Sequence, residues 1–390
     1  MSHTHREYPP SVSYLIAVLM SVAHLTFLAT IPYKLKTLGG GLDTVGFVFT
    51  WMSAWYIVAG LALGWLSQRY GPRRVMLTCV VIAGGVAGLT PFTTAVWQVY
   101  LVGMIYSTVA CVFWAALEHA STGLHAHLTL IQSTAIFCMA FSLGNAAGQM
   151  SSSLLVTQTV ALPFLLAAGM LVLVFILIWV TVSPEAGFRR STPADIAAFP
   201  EAARQRLRRS LLAGRIGLVG TYGMYCLATL FLPRYLWEHR GFSKPLAGSM
   251  STVLLLTMAV TFAWHGRSTR WPHRLWIVRS CPFLAAGSVL LVGLGSSVAV
   301  IGLGAVLVGI VAATAYSHNL YYSLEEPGQR ARNAGIHEAV VGLGFMLAPF
   351  VGGAATRWTQ VPESIFWAGA ALAVVTGIVQ NVALAVSRPR

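Results

Sequence analysis

Twelve apolar stretches, each long enough to cross a lipid bilayer, take up most of the 390 residues of this chain. A membrane-spanning helix needs about 20 mostly apolar residues. Runs of this kind lie roughly at 12–32, 44–66, 75–94, 97–118, 130–154, 161–182, 211–233, 246–264, 275–295, 298–323, 334–356 and 364–386. Because unpaired backbone groups are costly in lipid, each run is expected to form a helix. Only 9% of the residues are charged, and this composition also indicates a membrane protein.

The net charge of +14 would suit a nucleic-acid partner, but its distribution favours another interpretation. Lys and Arg lie in short segments between the apolar runs, where they determine topology. If the N-terminus is cytoplasmic, 19 of the 25 basic residues fall on the cytoplasmic side. We therefore predict a multi-pass protein of the plasma membrane, a bacterial inner membrane, with both termini cytoplasmic and no nucleic-acid partner.

The five cysteines and the first apolar run add two further expectations. All five cysteines lie in or at the start of apolar runs without a CxxC pattern, which indicates small buried residues rather than disulfides or metal ligands. No small-residue cleavage site follows the first run, so we expect it to remain as the first helix.

A polar segment at 183–210, with three prolines and six arginines, divides the twelve runs into two sets of six. We predict an N-terminal six-helix bundle at 1–182, a cytoplasmic linker at 183–210 and a C-terminal six-helix bundle at 211–390. The two halves share residues at an offset of about 200, including Pro72 with Pro272 and Gly144 with Gly344. Paired halves around a central site are one way in which transporters are built.

The segment after the second run contains Gly64, Leu66, Arg69, Gly71 and Arg73. The spacing of these residues resembles the loop 2–3 signature of the major facilitator superfamily. The resemblance covers the whole chain and implies an all-α membrane fold of twelve helices in two pseudo-symmetric six-helix bundles. It also implies that this loop takes part in gating. Gln68 stands where the family usually has an aspartate, which implies a weaker cytoplasmic latch or one held elsewhere.

The eleventh run contains a glycine-rich segment around Pro349, from Gly344 to Gly353. It resembles an element that export-type members of the superfamily carry in the fifth span. Here the fifth run has Gly144 and Gly148 but no proline. Close packing between helices is therefore the simpler interpretation of both segments.

Two acidic residues, Glu118 and Glu338, lie inside apolar runs and toward the predicted cytoplasmic ends of their helices. Ionisable groups at membrane depth are costly and mark candidate functional sites. We predict that both take part in proton or substrate coupling, together with His24, His318 and His337. The alternative is that the two glutamates form structural pairs with Arg330 or Arg332. The sequence H-E-x-x-H is not completed, because the second ligand position is Val341, so no metal site and no cofactor are predicted.

Amides and aromatic side chains within the runs suggest how a solute is held. The candidate substrate contacts are Asn145, Asn319, Gln149, Tyr225 and Trp55. Such groups suit a neutral or amphipathic solute, although Trp and Tyr also concentrate at membrane interfaces. Basic residues are nearly absent from the runs, which makes a multiply anionic substrate less favoured.

These observations predict a secondary transporter, acting as a monomer, that moves a small organic solute by alternating access with proton coupling. A multidrug-type efflux antiporter and a non-transporting sensor of the same fold are the alternatives. A membrane-embedded enzyme is disfavoured because no catalytic constellation assembles. ATP drive within the chain is disfavoured because no G-x-x-x-x-G-K-[ST] loop occurs.

Overall fold

The computed structural model of the protein describes residues 10–63, 66–122, 128–182 and 199–387, and twelve of its helices are long and apolar enough to cross a membrane. They are α1 (Pro10–Thr37), α2 (Leu42–Leu63), α3 (Pro72–Leu89), α4 (Val96–Thr122), α5 (Leu130–Leu155), α6 (Ala161–Thr181), α7 (Glu201–His239), α8 (Lys244–Gly266), α9 (Leu275–Leu294), α10 (Val298–Glu325), α11 (Arg330–Thr359) and α12 (Ser364–Val386). Each predicted run is confirmed as one of these helices.

Helix α7 differs most from its predicted bounds. It begins at Glu201, so the end of the predicted linker is helical and continuous with the seventh span. A π-helical turn at Leu227–Phe231 interrupts it before the last segment, Leu232–His239. Such turns often occur at functional sites. The remainder of the linker, 183–198, lies outside the described residues.

Local sequence signals set several helix starts. Gly71 has a φ of 83°, which glycine tolerates without a Cβ penalty, and Pro72 then opens α3. At the start of α5, Thr129 and Gln132 form a capping box that satisfies two backbone N–H groups. Ser297 accepts a hydrogen bond from the Val300 amide at the start of α10.

The packing of the first six helices is repeated in the last six. In the first half, α1 contacts α5 and α6, α2 contacts α4, and α3 contacts α4 and α6. In the second half, α7 contacts α11 and α12, α8 contacts α10, and α9 contacts α10 and α12. The halves meet mainly through α2 against α11 and α5 against α8. This repetition is the pseudo-symmetric arrangement that the resemblance implied.

Glycines at equivalent positions allow equivalent helices to touch. A Cβ on Gly144 of α5 would overlap the carbonyl oxygen of Val18 in α1. A Cβ on Gly344 of α11 would lie 2.8 Å from the carbonyl oxygen of Val219 in α7. Gly144 and Gly344 therefore each allow two helices of their half to approach closely, and the packing interpretation of both segments agrees with these contacts.

We expect Gly144→Ala to destabilise the protein by about 1–3 kcal/mol, because a rigid backbone atom must move to admit the methyl group. Thermal unfolding of the purified protein in detergent measures this as a lower midpoint. Gly85→Ala is the matched control, since a Cβ there meets nothing within 4 Å. Equal midpoints for the two variants would contradict the close contact between α1 and α5.

Candidate functional site

A cavity lies between the two halves, where seven helices converge. Its walls come from α1, α2, α4 and α5 of the first half and from α7, α10 and α11 of the second. The cavity volume is about 80 Å³, which leaves room for several water molecules. The lining is mostly aromatic and aliphatic, with a small set of polar groups: His24, Ser53, Ser107, Asn145, Thr229 and the carboxyl groups of Glu118 and Glu338.

The two buried glutamates meet in this cavity. Glu118 comes from α4 and Glu338 from α11, so each half contributes one carboxyl group. Their side chains are within hydrogen-bonding reach of each other. The phenol of Tyr56 donates to Oε2 of Glu338, and the phenol of Tyr316 donates to Oε1 of Glu118 at 3.1 Å. Both glutamates are almost completely buried.

His337 lies beside the pair. The amide nitrogen of Asn319 is 2.8 Å from its Nδ1, and its Nε2 is 3.9 Å from Oε1 of Glu338. With the Asn319 amide donating to Nδ1, the proton of the neutral ring sits on Nε2 and faces Glu338. Asn319 therefore orients His337 from α10 rather than lining the cavity.

Donor atoms of Glu118, His337 and Glu338 all lie within 4.8 Å of one another, close enough to surround a small cation. Structural zinc sites usually have four protein ligands and calcium takes six to eight oxygen ligands, whereas catalytic zinc sites have three protein ligands. The neighbouring walls supply phenol and phenyl groups, which are poor metal ligands. The cluster therefore offers three ligand atoms to a proton or another small cation.

Stacked rings form the wall next to the carboxyl pair. Tyr222 stacks on Tyr225 with centroids 4.7 Å apart and on Tyr316 with centroids 5.2 Å apart. Phe141 stacks on the other face of this group, 6.1 Å from Tyr316. The cluster bridges α5, α7 and α10, so it joins the two halves around the cavity.

Three cavity-lining residues each have a buried polar atom without a hydrogen-bond partner. These atoms are Nδ1 of His24, Oδ1 of Asn145 and the hydroxyl oxygen of Tyr222. Buried polar atoms usually have partners, so these three atoms are candidates to contact a solute once the walls move apart.

Besides Asn319 and His337, three further predicted residues do not line the cavity. His318 packs in the second half against Trp271, with ring centroids 4.6 Å apart, and its Nδ1 is 2.7 Å from the carbonyl oxygen of Thr314. Trp55 lies against the half-exposed Trp51. Gln149 is fully buried on α5 and both of its side-chain polar atoms lack partners, but it does not line the cavity.

Glu338 contacts Tyr56, Glu118 and His337 in the described part of the chain. The Nε of Arg330 donates to the carbonyl oxygen of Leu324 at 2.8 Å. Pairing of the glutamates with Arg330 or Arg332 stays a prediction. Tyr56 was not among the predicted residues; its only signal in the sequence is a polar phenol within an apolar run.

The gating-loop residues are only partly described. Gly64 and the side chain of Gln68 lie outside the described residues. Arg73 donates to the carbonyl oxygen of Trp179 at 2.9 Å and places its guanidinium 4.8 Å from the centre of that ring. Arg73 therefore fastens the start of α3 to the end of α6 within the first half. Arg69 is exposed.

A buried arginine joins the two halves at one end of the molecule. Arg234 of α7 is 1% exposed and donates to the carbonyl oxygens of Pro32 at 3.1 Å and Gly40 at 2.7 Å, near the α1–α2 turn. Its Nε is 3.1 Å from Glu238, which also pairs with Lys36 at 3.1 Å. These bonds join the second half to the first, and sequence analysis assigned Arg234 only to a loop.

Comparisons with known proteins agree with this architecture. The family model described as Major Facilitator Superfamily matches residues 13–327. Among solved structures, the human organic anion transporter MFSD10 (TETRAN) superposes with a TM-score of 0.68 at 20% identity, covering 95% of this chain and 98% of that chain. A point mutant of the nucleoside transporter NupG superposes with a TM-score of 0.68 at 12% identity, covering 96% of this chain and 99% of the other.

No curated protein matches the sequence significantly. At these identities the structural neighbours show the fold alone. The family model, however, spans most of the chain and agrees with the twelve helices and the repeated packing of the halves. The chain belongs to the Major Facilitator Superfamily.

Proposed function

We propose that this protein is a secondary transporter that moves a small organic solute by alternating access and exchanges protons at the Glu118–Glu338 pair. The observation that carries this proposal is the meeting of two buried carboxyl groups, one from each half, at the wall of the central cavity. Ionisable side chains at such depth commonly mark ion or substrate pathways.

The contacts of the pair imply a shared proton. A carboxylate oxygen only accepts hydrogen bonds, so a bond between two carboxyl groups needs a proton on one of them. Tyr56 of the first half donates to Glu338 of the second half, and Tyr316 of the second half donates to Glu118 of the first half. These bonds satisfy further acceptor sites of the two carboxyl groups. When the halves rock apart, α4 separates from α11 and the shared proton loses one of its two acceptors. Opening therefore favours proton exchange with water.

The surroundings of the pair determine which other groups respond to pH. The titratable side chains near it are, from successive helices, Tyr56, Cys111, Cys138, Tyr222, Tyr316 and His337. Five of these six are phenols or thiols, which are neutral at physiological pH. His24 lines the same cavity. The glutamates and histidines are thus the groups that exchange protons in the cycle.

The proposed orientation follows from charge. The end that carries the α7 extension with Arg204, Arg206, Arg208 and Arg209 would face the cytoplasm, with both termini, in a bacterial inner membrane. The end closed by Arg234 would face outward. The two six-helix halves, joined by the 183–210 segment, would rock about the cavity within a single monomer.

A proton gradient across proteoliposomes should drive solute movement if this proposal is right. We expect accumulation, or expulsion, of at least one of three probes: a naphthylmethyl trimethylammonium cation, naphthylacetate and uridine. A protonophore should abolish it, and protein-free liposomes are the control. Exchange of none of the three in response to the gradient would contradict proton-coupled transport and favour a sensor.

A further inference from the structure

The charges that line the cavity are all of one sign. The acidic side chains Glu118 and Glu338 lie on its wall, while no lysine or arginine is among its lining residues in the described part of the chain. Arg215 is a basic side chain near His337, and it donates to Oδ1 of Asn333 at 3.0 Å. An anionic solute would therefore enter a cavity without a cationic partner, at a large desolvation cost.

Aromatic faces surround the same space. The lining includes nine aromatic rings, Phe49, Tyr56, Trp114, Phe137, Phe141, Tyr222, Tyr225, Tyr316 and Phe345. Such faces carry partial negative charge and attract ammonium groups, most strongly where water is excluded. They also stack on a flat apolar ring of the solute.

An unpaired acceptor agrees with this pattern. Oδ1 of Asn145 is buried, lacks a partner and belongs to a lining residue. The N–H or N–methyl groups of an ammonium centre carry partial positive charge, so they complement this oxygen. A solute that offers it only acceptors, such as a carboxylate or phosphate, would leave it unsatisfied.

We propose, on the basis of the proposed function, that the transported solute is an organic cation that carries an aromatic or other flat apolar group. The ammonium centre lies between the carboxyl pair and the ring faces, and it takes the place of the shared proton. One monovalent cation therefore exchanges for one proton, and cation and proton compete for the same pair of glutamates. The organic anion carried by one structural neighbour does not fit this cavity.

Calorimetric titration of the purified protein in detergent at pH 8 tests the charge preference with three ligands that share one ring. These are the naphthylmethyl trimethylammonium cation, naphthylmethanol and naphthylacetate. We expect the cation to bind at least about tenfold more tightly than the alcohol, because it alone gains a charged partner, and naphthylacetate to bind most weakly. The quaternary ammonium does not titrate, so weaker binding at pH 5.5 reports protonation of the protein.

Two variants make the result specific to the carboxyl pair. The double variant Glu118→Gln/Glu338→Gln should remove the preference for the cation over the alcohol, whereas Glu201→Gln, at an exposed carboxylate, should retain it. Tighter binding of naphthylacetate than of the cation, or an unchanged preference in the double variant, would overturn the cation assignment. Proton-driven transport of naphthylacetate or uridine would overturn this inference alone, whereas pH-independent cation binding without proton-driven transport would overturn the proposed coupling.

Discussion

Glu338→Gln is expected to abolish solute movement driven by a proton gradient while preserving a folded protein. Glutamine can still accept from Tyr56 and can donate to Glu118, so the local hydrogen bonds survive. It cannot take up or release a proton. Gradient-driven transport should fall to the level of protein-free liposomes, whereas exchange between equal pH on both sides should continue at saturating solute.

Two controls separate coupling from folding. Glu118→Gln should give the same loss, because the shared proton needs both carboxyl groups. Glu201→Gln lies at an exposed salt bridge with Arg204, which is expected to contribute little, and should transport normally. Thermal unfolding should show near-equal midpoints for all three variants. Gradient-driven transport by Glu338→Gln at the rate of Glu201→Gln would contradict the coupling role of Glu338.

The membrane-spanning helices were the most predictable part of this molecule. Span length and hydropathy depend on the thickness of the bilayer, so each of the twelve runs indicated its own helix. The candidate carboxyl groups were predictable for the same reason, since Glu118 and Glu338 stand out in apolar runs. That they touch was not predictable, because contact across 220 positions depends on the rotation of α4 and α11 about their axes.

The same limit explains which candidate residues lie elsewhere. Asn145 and Tyr225 face the cavity, but Gln149, one turn beyond Asn145, does not. His318 and Glu118 had equivalent signals in sequence, yet His318 points into the second half against Trp271. A periodic pattern would have indicated the buried face, but these helices are apolar on nearly all sides because lipid replaces water. Helix rotation is therefore encoded in packing contacts such as Gly144 on Val18, not in amphipathicity.

Arg234→Ala is expected to open the end of the molecule at the α1–α2 turn. The side chain joins the halves through carbonyl oxygens of Pro32 and Gly40 and pairs with Glu238. Removing it leaves these two carbonyl oxygens without their donor, at a cost of about 1–3 kcal/mol each, while Glu238 keeps its pair with Lys36. An arrangement in which the halves separate at this end lacks these contacts. The substitution therefore destabilises the closed arrangement and shifts the population toward the open arrangement.

A cysteine at the cavity-lining Leu28 would report this shift. In Arg234→Ala, Leu28→Cys should react with a water-soluble thiol reagent at least about tenfold faster, since 1.4 kcal/mol corresponds to a factor of ten. Arg240→Ala is the matched control, because Arg240 donates to Tyr235 and Gly293 within the second half. The five native cysteines, all buried, report unfolding if they react in the parent without Leu28→Cys.

Arg234 thus joins the two halves, whereas the hydrogen bonds of Arg240 described above lie within the second half. Arg234→Lys should fall between the parent and the alanine variant, since an ammonium retains the charge but cannot present two parallel donors to Pro32 and Gly40. Equal labelling of Leu28→Cys in the Arg234→Ala and Arg240→Ala backgrounds, with the native cysteines still protected, would show that Arg234 does not hold the halves together. We expect the labelling rate of Leu28→Cys to rise from the parent through Arg234→Lys to Arg234→Ala and to stay unchanged in Glu338→Gln. This result would place the Arg234 contacts and the proton site on separate steps of one transport cycle.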